Sequence, residues 1–348
     1  MKLIEIKNFT KDLISWQRQH GRHDLPWQKN RTAYRVWLSE IMLQQTQVST
    51  VISRYQTFLK RFPNVEALAR ASVDEVLAEW SGMGYYTRAR NLHKCAQVVV
   101  NEYAGKFPSD PELLVSLPGI GKSTAAAVAV FSYGVRAAIL DGNVKRVLAR
   151  LWGVEADLSK SANVKSLWAH AEKLLPNEPD DLISYTQGLM DFGATHCTQY
   201  QPVCRRADGS VCLFQNCCQA KLSNKVEQIP IKIKKINIQH IEIDWWIYVC
   251  GHRVLLEKRP ESGIWGSLWS FPQENLAHSK KFEKLDVISH VLTHRRLKIQ
   301  PYKIALSSMP KAVQANQVWV NLSDALKLGL PKPVSSFLKS QDLALDAS

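Results

Sequence analysis

The sequence predicts two folded parts, an all-α part over residues 1–222 and an α+β part over 239–348. Three observations predict it. Apolar residues recur at helical spacing through the first 222 positions, with short breaks marked by Gly and Pro. From residue 239 the runs IEIDWWIYVC, RVLLEKRP and QVWVNL are β-branched or aromatic and separated by turn residues, which suits strands. Between them NKVEQIPIKIKKINIQH is lysine-rich, lacks a helical stripe and contains Pro230, so 223–238 reads as a linker. A length of 348 residues suits two domains, and 45% hydrophobic residues can fill two cores.

In chain order, an amphipathic helix with Leu3, Ile6, Leu13 and Trp16 on one side opens the chain. Helices are expected over 34–46, 49–61, 65–69, 73–80, 87–102, 122–133, 144–151 and 182–194, and a frayed tail over the last residues, QDLALDAS. The segment LPGIGKSTAAAVAVF carries Gly119 and Gly121 in a tight turn ahead of a helix starting at Lys122. The apolar positions Ala125, Val128, Ala129 and Phe131 read as the buried face of the second helix of a helix-hairpin-helix, whose free N–H groups suit an anion. Asp141 ends the run AAIL, and Gly142 and Asn143 supply the turn before another helix.

The formal charge of +14 points to a polyanionic partner, with a membrane surface as the rival explanation. No apolar run approaches a bilayer span and the N-terminus lacks a signal-peptide core, so a cytoplasmic protein without a membrane partner is expected. Five of the seven cysteines fall between Cys197 and Cys218, a clustering that suits a metal or cluster site more than disulfides.

Cleaving a glycosidic bond needs a proton donor for the leaving group and a carboxylate beside the developing sugar cation. Glu40 lies in VWLSEIMLQQTQV, where Trp37, Leu38, Ile41 and Met42 bury much of the helix around it, and burial raises a carboxyl pKa. Asp141 is the second carboxylate. Each also has a plainer reading, Glu40 as a solvated helix residue and Asp141 as a helix cap.

The segments WLSEIMLQQTQV, SGMGYYTRARNLHK, LPGIGKSTAAA, LDGNVKRVLAR and QGLMDFGATHC, in that order, closely resemble the MutY family of adenine DNA glycosylases. The resemblance implies an all-α helix-hairpin-helix glycosylase core with an iron–sulfur module, followed by an α+β MutT/Nudix-like domain. It places a six-helix barrel with the hairpin over 28–138, the helical cluster module over 1–27 with 139–222, and the MutT-like recognition domain over 239–348. It implies removal of adenine opposite 8-oxoguanine or G in duplex DNA, by a monomer. On this resemblance Glu40 protonates adenine and Asp141 stabilises the oxocarbenium ion or briefly bonds to C1′. Gly119, Gly121, Lys122 and Ser123 hold DNA phosphate.

Ser123 decides between two activities. Related glycosylases resembling endonuclease III carry a lysine here whose amine attacks C1′ and cuts the strand, and a hydroxyl cannot form that Schiff base. The chain is therefore expected to be monofunctional, the alternative being a glycosylase–lyase for oxidised pyrimidines. Lys122 points about 100° away around the helix and does not substitute. Gln45 and Tyr85 match wedge residues at the mispair, with Leu43, Gln44 and Thr46 lining the same region. Gln187 and Arg31 match positions that read adenine.

The family spaces its cluster cysteines by six, two and five residues. Here Cys197, Cys204, Cys212 and Cys218 are separated by six, seven and five. A longer loop adds only about 1 kcal/mol of closure entropy, so a [4Fe–4S] cluster on these four is expected. Cys217 is an alternative fourth ligand and zinc an alternative metal. In the C-terminal part the paired glutamates of a Nudix hydrolase are absent, which argues against pyrophosphate hydrolysis. The family's Phe-Ser-His loop for 8-oxoguanine corresponds to Leu292, Thr293 and His294, where threonine keeps the hydroxyl and leucine loses the ring.

Overall fold

The computed structural model describes residues 3–231, 238–276, 281–310 and 313–345, with side chains from residue 8 to residue 340. Fourteen helices and seven strands occur among them. The helical part comprises α1 (Leu3–His20), α2 (Ala33–Leu43), α3 (Val48–Arg61), α4 (Val65–Arg70), α5 (Val73–Glu79) and α6 (Thr87–Tyr103). It continues through α7 (Pro111–Ser116), α8 (Lys122–Tyr133), α9 (Gly142–Trp152), α10 (Ser161–Lys173), α11 (Pro179–Thr195) and α12 (Gln219–Leu222). None of the described helices is long and apolar enough to cross a membrane. Leu13 and Trp16 of α1 are buried, whereas the side chains of Leu3 and Ile6 lie outside the described residues.

Local chemistry sets the helix ends. Thr32 and Asn64 cap α2 and α4 through side-chain oxygens, and Ser72 with Glu75 forms a capping box on α5. Gly134 and Gly153 end α8 and α9 in the left-handed conformation. Three expectations change. Helix α2 stops at Leu43 rather than at Thr46, because the chain turns sharply there and Gln45 takes a φ of 55°. Gly142 and Asn143 belong to the first turn of α9, with Asp141 alone outside it as N-cap. Helix α8 is buried all round from Thr124 to Phe131, not along one stripe, which marks it as a central helix.

The structure divides into two compact units, residues 1–56 with 98–234, and residues 57–97 with 235–348. In the first, α8 and α11 run through a core that includes Trp37, Leu38, Met42, Val128 and Leu189. Two glycines permit its closest approaches. A Cβ at Gly193 would come within 2.8 Å of Asn143 Cβ, so α11 meets the start of α9 only without a side chain there. Gly119, at a φ of 78°, makes the hairpin turn that closes with Ile120 N–H donating to the Leu117 carbonyl.

The second unit holds a mixed sheet of β1 (Gln239–Cys250), β2 (Arg253–Lys258), β3 (Trp269–Ser270), β4 (Glu283–Lys284), β5 (Ile288–Leu292), β6 (Arg295–Ala305) and β7 (Gln317–Asn321). Strands β1 and β6 pair in parallel from Gln239↔Arg295 to Val249↔Ala305, and every other pairing is antiparallel. Alternation sorts β1: Ile243, Trp245 and Ile247 face one core with Leu330, Val334 and Leu338, while Tyr248 faces another with Leu255 and Ile304. Helices α13 (Leu322–Ala325) and α14 (Lys332–Leu345) follow. Helix α14 continues to Leu345, into the segment expected to fray, because Val334 and Leu338 anchor it on the sheet.

Candidate active site

Helix α2 places Glu40 one turn from its C-terminal end, on a wall of the first unit where Val36, Ser39 and Leu43 accompany it. The opposite wall is Gln187 and Met190 of α11, and the 3-10 turn Pro26–Gln28 closes a third side with Trp27 and Gln28. Arg31 and Phe131 also line the pocket, as do Arg22, Leu25 and Val48, and the Arg31 guanidinium lies 4.7 Å from the Phe131 ring centre. The lining is largely apolar, with a few polar groups converging on it, the composition of a small-molecule or base site.

Burial pushes the Glu40 carboxyl up to about 8, and the negative charge of Asp141 adds to the effect. At neutral pH the group therefore carries a proton, as a general acid must. Asp141 Oδ1 accepts the Val144 N–H at 2.7 Å, so the cap reading holds alongside any chemistry. Burial raises its carboxyl too, opposed by the Val144 and Asn143 amides and by the charges of Arg146 and Lys145. Of the two carboxyls, Asp141 is thus the one held by donors and cations.

Ser123 sits in the first turn of α8, and its Oγ accepts the Leu140 N–H at 3.1 Å, directly before Asp141. Lys122 is engaged elsewhere: its Nζ lies 3.3 Å from Glu172 and 4.4 Å from the Trp168 ring centre. Gly121 begins α8 with no side chain capping it, so the first-turn amides after Gly119 and Gly121 face outward as an anion site requires. Gln44 Nε2 donates to Thr124 Oγ1 at 3.5 Å, Gln45 is exposed and left-handed, and Thr46 Oγ1 donates to the Gln44 carbonyl at 3.3 Å.

Gln187 is buried, and Arg31 Nη2 donates to its Oε1 at 3.5 Å. Sequence reasoning missed its neighbours Arg22, Trp27, Gln28 and Asp191. Asp191 is fully buried, one turn along α11 from Gln187, and accepts from Gln187 Nε2 at 3.0 Å and from Arg22 Nε at 2.8 Å. The spacing of Gln187 and Asp191 on one helix was the available signal; the partner Arg22 was invisible at a separation of 169 residues.

In the second unit Tyr85 is left-handed at a φ of 48° and its hydroxyl lies 2.9 Å from Thr293 Oγ1. Thr293 and His294 form the exposed turn between β5 and β6, and the His294 carbonyl accepts the Gln239 N–H. Tyr85 and Thr293, 208 residues apart, thus meet. Arg88 packs its guanidinium 5.5 Å from the Tyr85 ring centre.

Four thiols meet at a second cavity of the first unit, where Cys197, Cys204, Cys212 and Cys218 line the wall with Phe9 and Phe214. None of the seven cysteines, all among the described residues, forms a disulfide. Cys217 is not part of this wall; its Sγ donates to the Phe214 carbonyl at 3.6 Å. Burial pushes the Cys212 thiol up to about 12 and that of Cys218 up to about 11, and their sulfur neighbours add to both. Arg150 reaches Cys197 Sγ at 3.4 Å, and Arg146 donates to the Cys197 carbonyl at 2.8 Å. Among the described residues no three His, Cys, Asp or Glu side chains converge at single-ion spacing. Four thiols lining one cavity are the donor set that an iron–sulfur group requires.

Together, a hairpin turn before an anion-ready helix, two neighbouring carboxyls and a largely apolar pocket around one of them define a helix-hairpin-helix base-excision protein. Residues 38–173 match the HhH-GPD superfamily base excision DNA repair protein model, and residues 244–340 match the NUDIX domain model. An adenine DNA glycosylase of Buchnera aphidicola subsp. Baizongia pistaciae is 36% identical across 95% of this chain and 95% of its own. That of Mus musculus is 32% identical across 88% of this chain and 72% of its own. The chain belongs to the adenine DNA glycosylase family. Among solved structures, a thermostable thymine-DNA glycosylase is 29% identical with a TM-score of 0.56, covering 63% of this chain and 98% of that one. An endonuclease III–DNA complex shares the fold at 21% identity and a TM-score of 0.54, covering 64% of this chain and 98% of that one.

Proposed function

We propose that the chain is a monofunctional adenine DNA glycosylase of base excision repair, a monomer that hydrolyses the N-glycosidic bond of adenine opposite 8-oxoguanine or G in duplex DNA. The observation that carries this reading is Glu40, a carboxyl raised to about 8 in a largely apolar pocket beside the cap-held carboxyl of Asp141.

The duplex backbone rests on the outward amides of Gly121, Lys122 and Ser123, with Gly119 setting the turn. The target base leaves the stack and enters the pocket against Trp27, Leu43 and Met190, facing Gln187 and Arg31. Glu40 gives its proton to N7, the bond between N9 and C1′ breaks, and the electron pair leaves with the base. Asp141 steadies the resulting oxocarbenium ion with the oxygen not committed to capping. Glu40, now a carboxylate, takes a proton from water as the hydroxyl adds to C1′. Ser123 has no amine to offer, so no Schiff base forms and the strand stays intact. Gln45, Tyr85, Thr293 and His294 read the opposite base, with Leu43, Gln44 and Thr46 beside the gap.

Cys197, Cys204, Cys212 and Cys218 would hold a [4Fe–4S] cluster, whose iron charge would keep these buried thiols ionised and cross-link the cysteine segment. Arg146 and Arg150 help from the protein side by donating to this segment.

A duplex with one A opposite 8-oxoguanine tests the assignment. Incubation should yield strand breaks only after alkali, and Glu40→Gln should abolish them. Breaks without alkali, or full activity in Glu40→Gln, would overturn it.

A further inference from the structure

From the cluster behind the pocket we infer that Asp191 is a positioning residue that locks the Gln187 amide with its carbonyl oxygen toward the base, and so makes the pocket select a 6-amino purine over a 6-oxo purine. The inference rests on the adenine reading above and adds what fixes the choice of base.

A glutamine side chain ends in one acceptor and one donor that differ little in shape, so unaided it can present either to a ligand. In this pocket its neighbours remove the choice. Asp191 is fully buried and sits one helical turn beyond Gln187 on α11. Its Oδ1 takes Arg22 Nε at 2.8 Å and Gln187 Nε2 at 3.0 Å, and its Oδ2 takes the Arg22 backbone N–H at 3.0 Å. Arg22 Nη2 completes the ion pair at 2.7 Å. A carboxylate paired with a guanidinium only accepts, so the group that Gln187 turns toward it must be the NH2. Rotating the amide by half a turn would set carbonyl against carboxylate in a buried site, leaving both short of a donor.

The remaining end, Oε1, accepts from Arg31, and both residues line the pocket. Arg31 supplies one donor at 3.5 Å, and a carbonyl oxygen has a second lone pair for a ligand N–H. The exocyclic amine of adenine can fill it. The 6-oxo group of hypoxanthine or guanine meets oxygen with oxygen and strands two acceptors, the kind of mismatch by which polar sites reject close analogues. Arg22 acts one step further back, by compensating the charge of Asp191.

The test compares release of adenine and of hypoxanthine from duplexes with either base opposite 8-oxoguanine, under single turnover, for the full chain. Asp191→Ala frees the Gln187 amide to turn, and the adenine-to-hypoxanthine ratio should fall about tenfold or more. Adding Gln187→Glu should restore the ratio, because a carboxylate presents an acceptor whichever way it turns. Equal losses on both bases, with the ratio unchanged in Asp191→Ala, would reduce Asp191 to a structural ion pair and overturn the inference. The double variant keeps one carboxylate in the cluster and carries the test should Asp191→Ala alone fail to fold. A folded double variant without adenine preference overturns the inference. Wild type that releases neither base would overturn the adenine reading itself, and the inference with it.

Discussion

Two cavities of the same helical unit bury ionisable side chains, and burial has opposite value in them. Around Glu40 it holds a carboxyl neutral, raised to about 8, where a neutral acid is useful. Around Cys212 and Cys218 it holds thiols neutral, raised to about 12 and about 11, where thiolates are needed for ligation. Helix α11 borders both, with Gln187 and Met190 on the base pocket and Phe192 on the thiol cavity. Low polarity alone therefore does not define a function. The outcome depends on the neighbours: at Glu40 the charge of Asp141 adds to burial, whereas at the cysteines the proposed cluster would offset it.

The largest effect should come from removing the acid. Glu40→Gln should slow adenine release by about 10²- to 10⁴-fold in single-turnover assays, the range a positioned general acid supplies. Wild-type release should hold through neutral pH and decline above about 8, as the raised carboxyl loses its proton. Stability carries the same signature. Because the folded pKa lies above the ordinary 4.5, the contribution of neutral Glu40 is complete below that value and lost as pH rises through about 8. Glu40→Gln should therefore melt higher than wild type at pH values above that window and match it well below. An equal melting difference at all pH values would show that the pocket does not hold the acid neutral.

Next in size is the cluster. Cys212→Ser should lose iron and the visible absorbance of anaerobically purified protein, and with them the folded cysteine loop. Cys217→Ser should keep both, since its sulfur turns away to the Phe214 carbonyl. Iron loss in Cys217→Ser but not in Cys218→Ser would exchange the ligands.

Ser123→Lys sharpens the pocket side of the contrast. Placing an amine beside Asp141 should allow borohydride trapping of a covalent adduct and some alkali-independent strand cleavage. It also removes the acceptor of the Leu140 N–H, so a stability loss of about 1–3 kcal/mol should accompany the new activity. Absence of any trapped adduct in a folded variant would separate lyase chemistry from this position.

The acid and its partner were legible because each leaves a local mark. Glu40 is flanked by Trp37, Leu38, Ile41 and Met42, all buried, and Asp141 stands at a helix start that it caps. What lay behind them was not legible, since Arg22 and Asp191 are brought together by tertiary folding and Gln28 reaches the pocket from a 3-10 turn. Cys217 and Cys218 are neighbours in sequence and part only when the turn after Phe214 directs one sulfur into the cavity. Helices α7 and α10 also escaped notice. The first has six residues, and the second buries only Leu167 and Ala171, too thin a stripe for periodicity to register. The strands of the second unit showed where both faces of β1 are apolar, and the two-residue β3 and β4 showed no pattern at all.

The smallest expected effect lies in that second unit, where the contact is polar and open rather than buried. Tyr85 is 45% exposed, and its hydroxyl meets Thr293 at 2.9 Å. Either oxygen can donate, so the pair can turn one hydrogen toward a ligand while keeping the other between them. An exposed neutral hydrogen bond contributes about 0.5–1.5 kcal/mol, so Tyr85→Phe or Thr293→Ala should each reduce the preference for 8-oxoguanine over G by roughly 2- to 12-fold. The rate on A opposite G should stay nearly unchanged, because Glu40 and Asp141 are untouched. If the hydroxyls act as a pair, the double variant should lose little more than either single one. Additive losses would mean that Tyr85 and Thr293 read the opposite base independently, and equal losses on both mispairs would assign the contact to holding the β5–β6 turn.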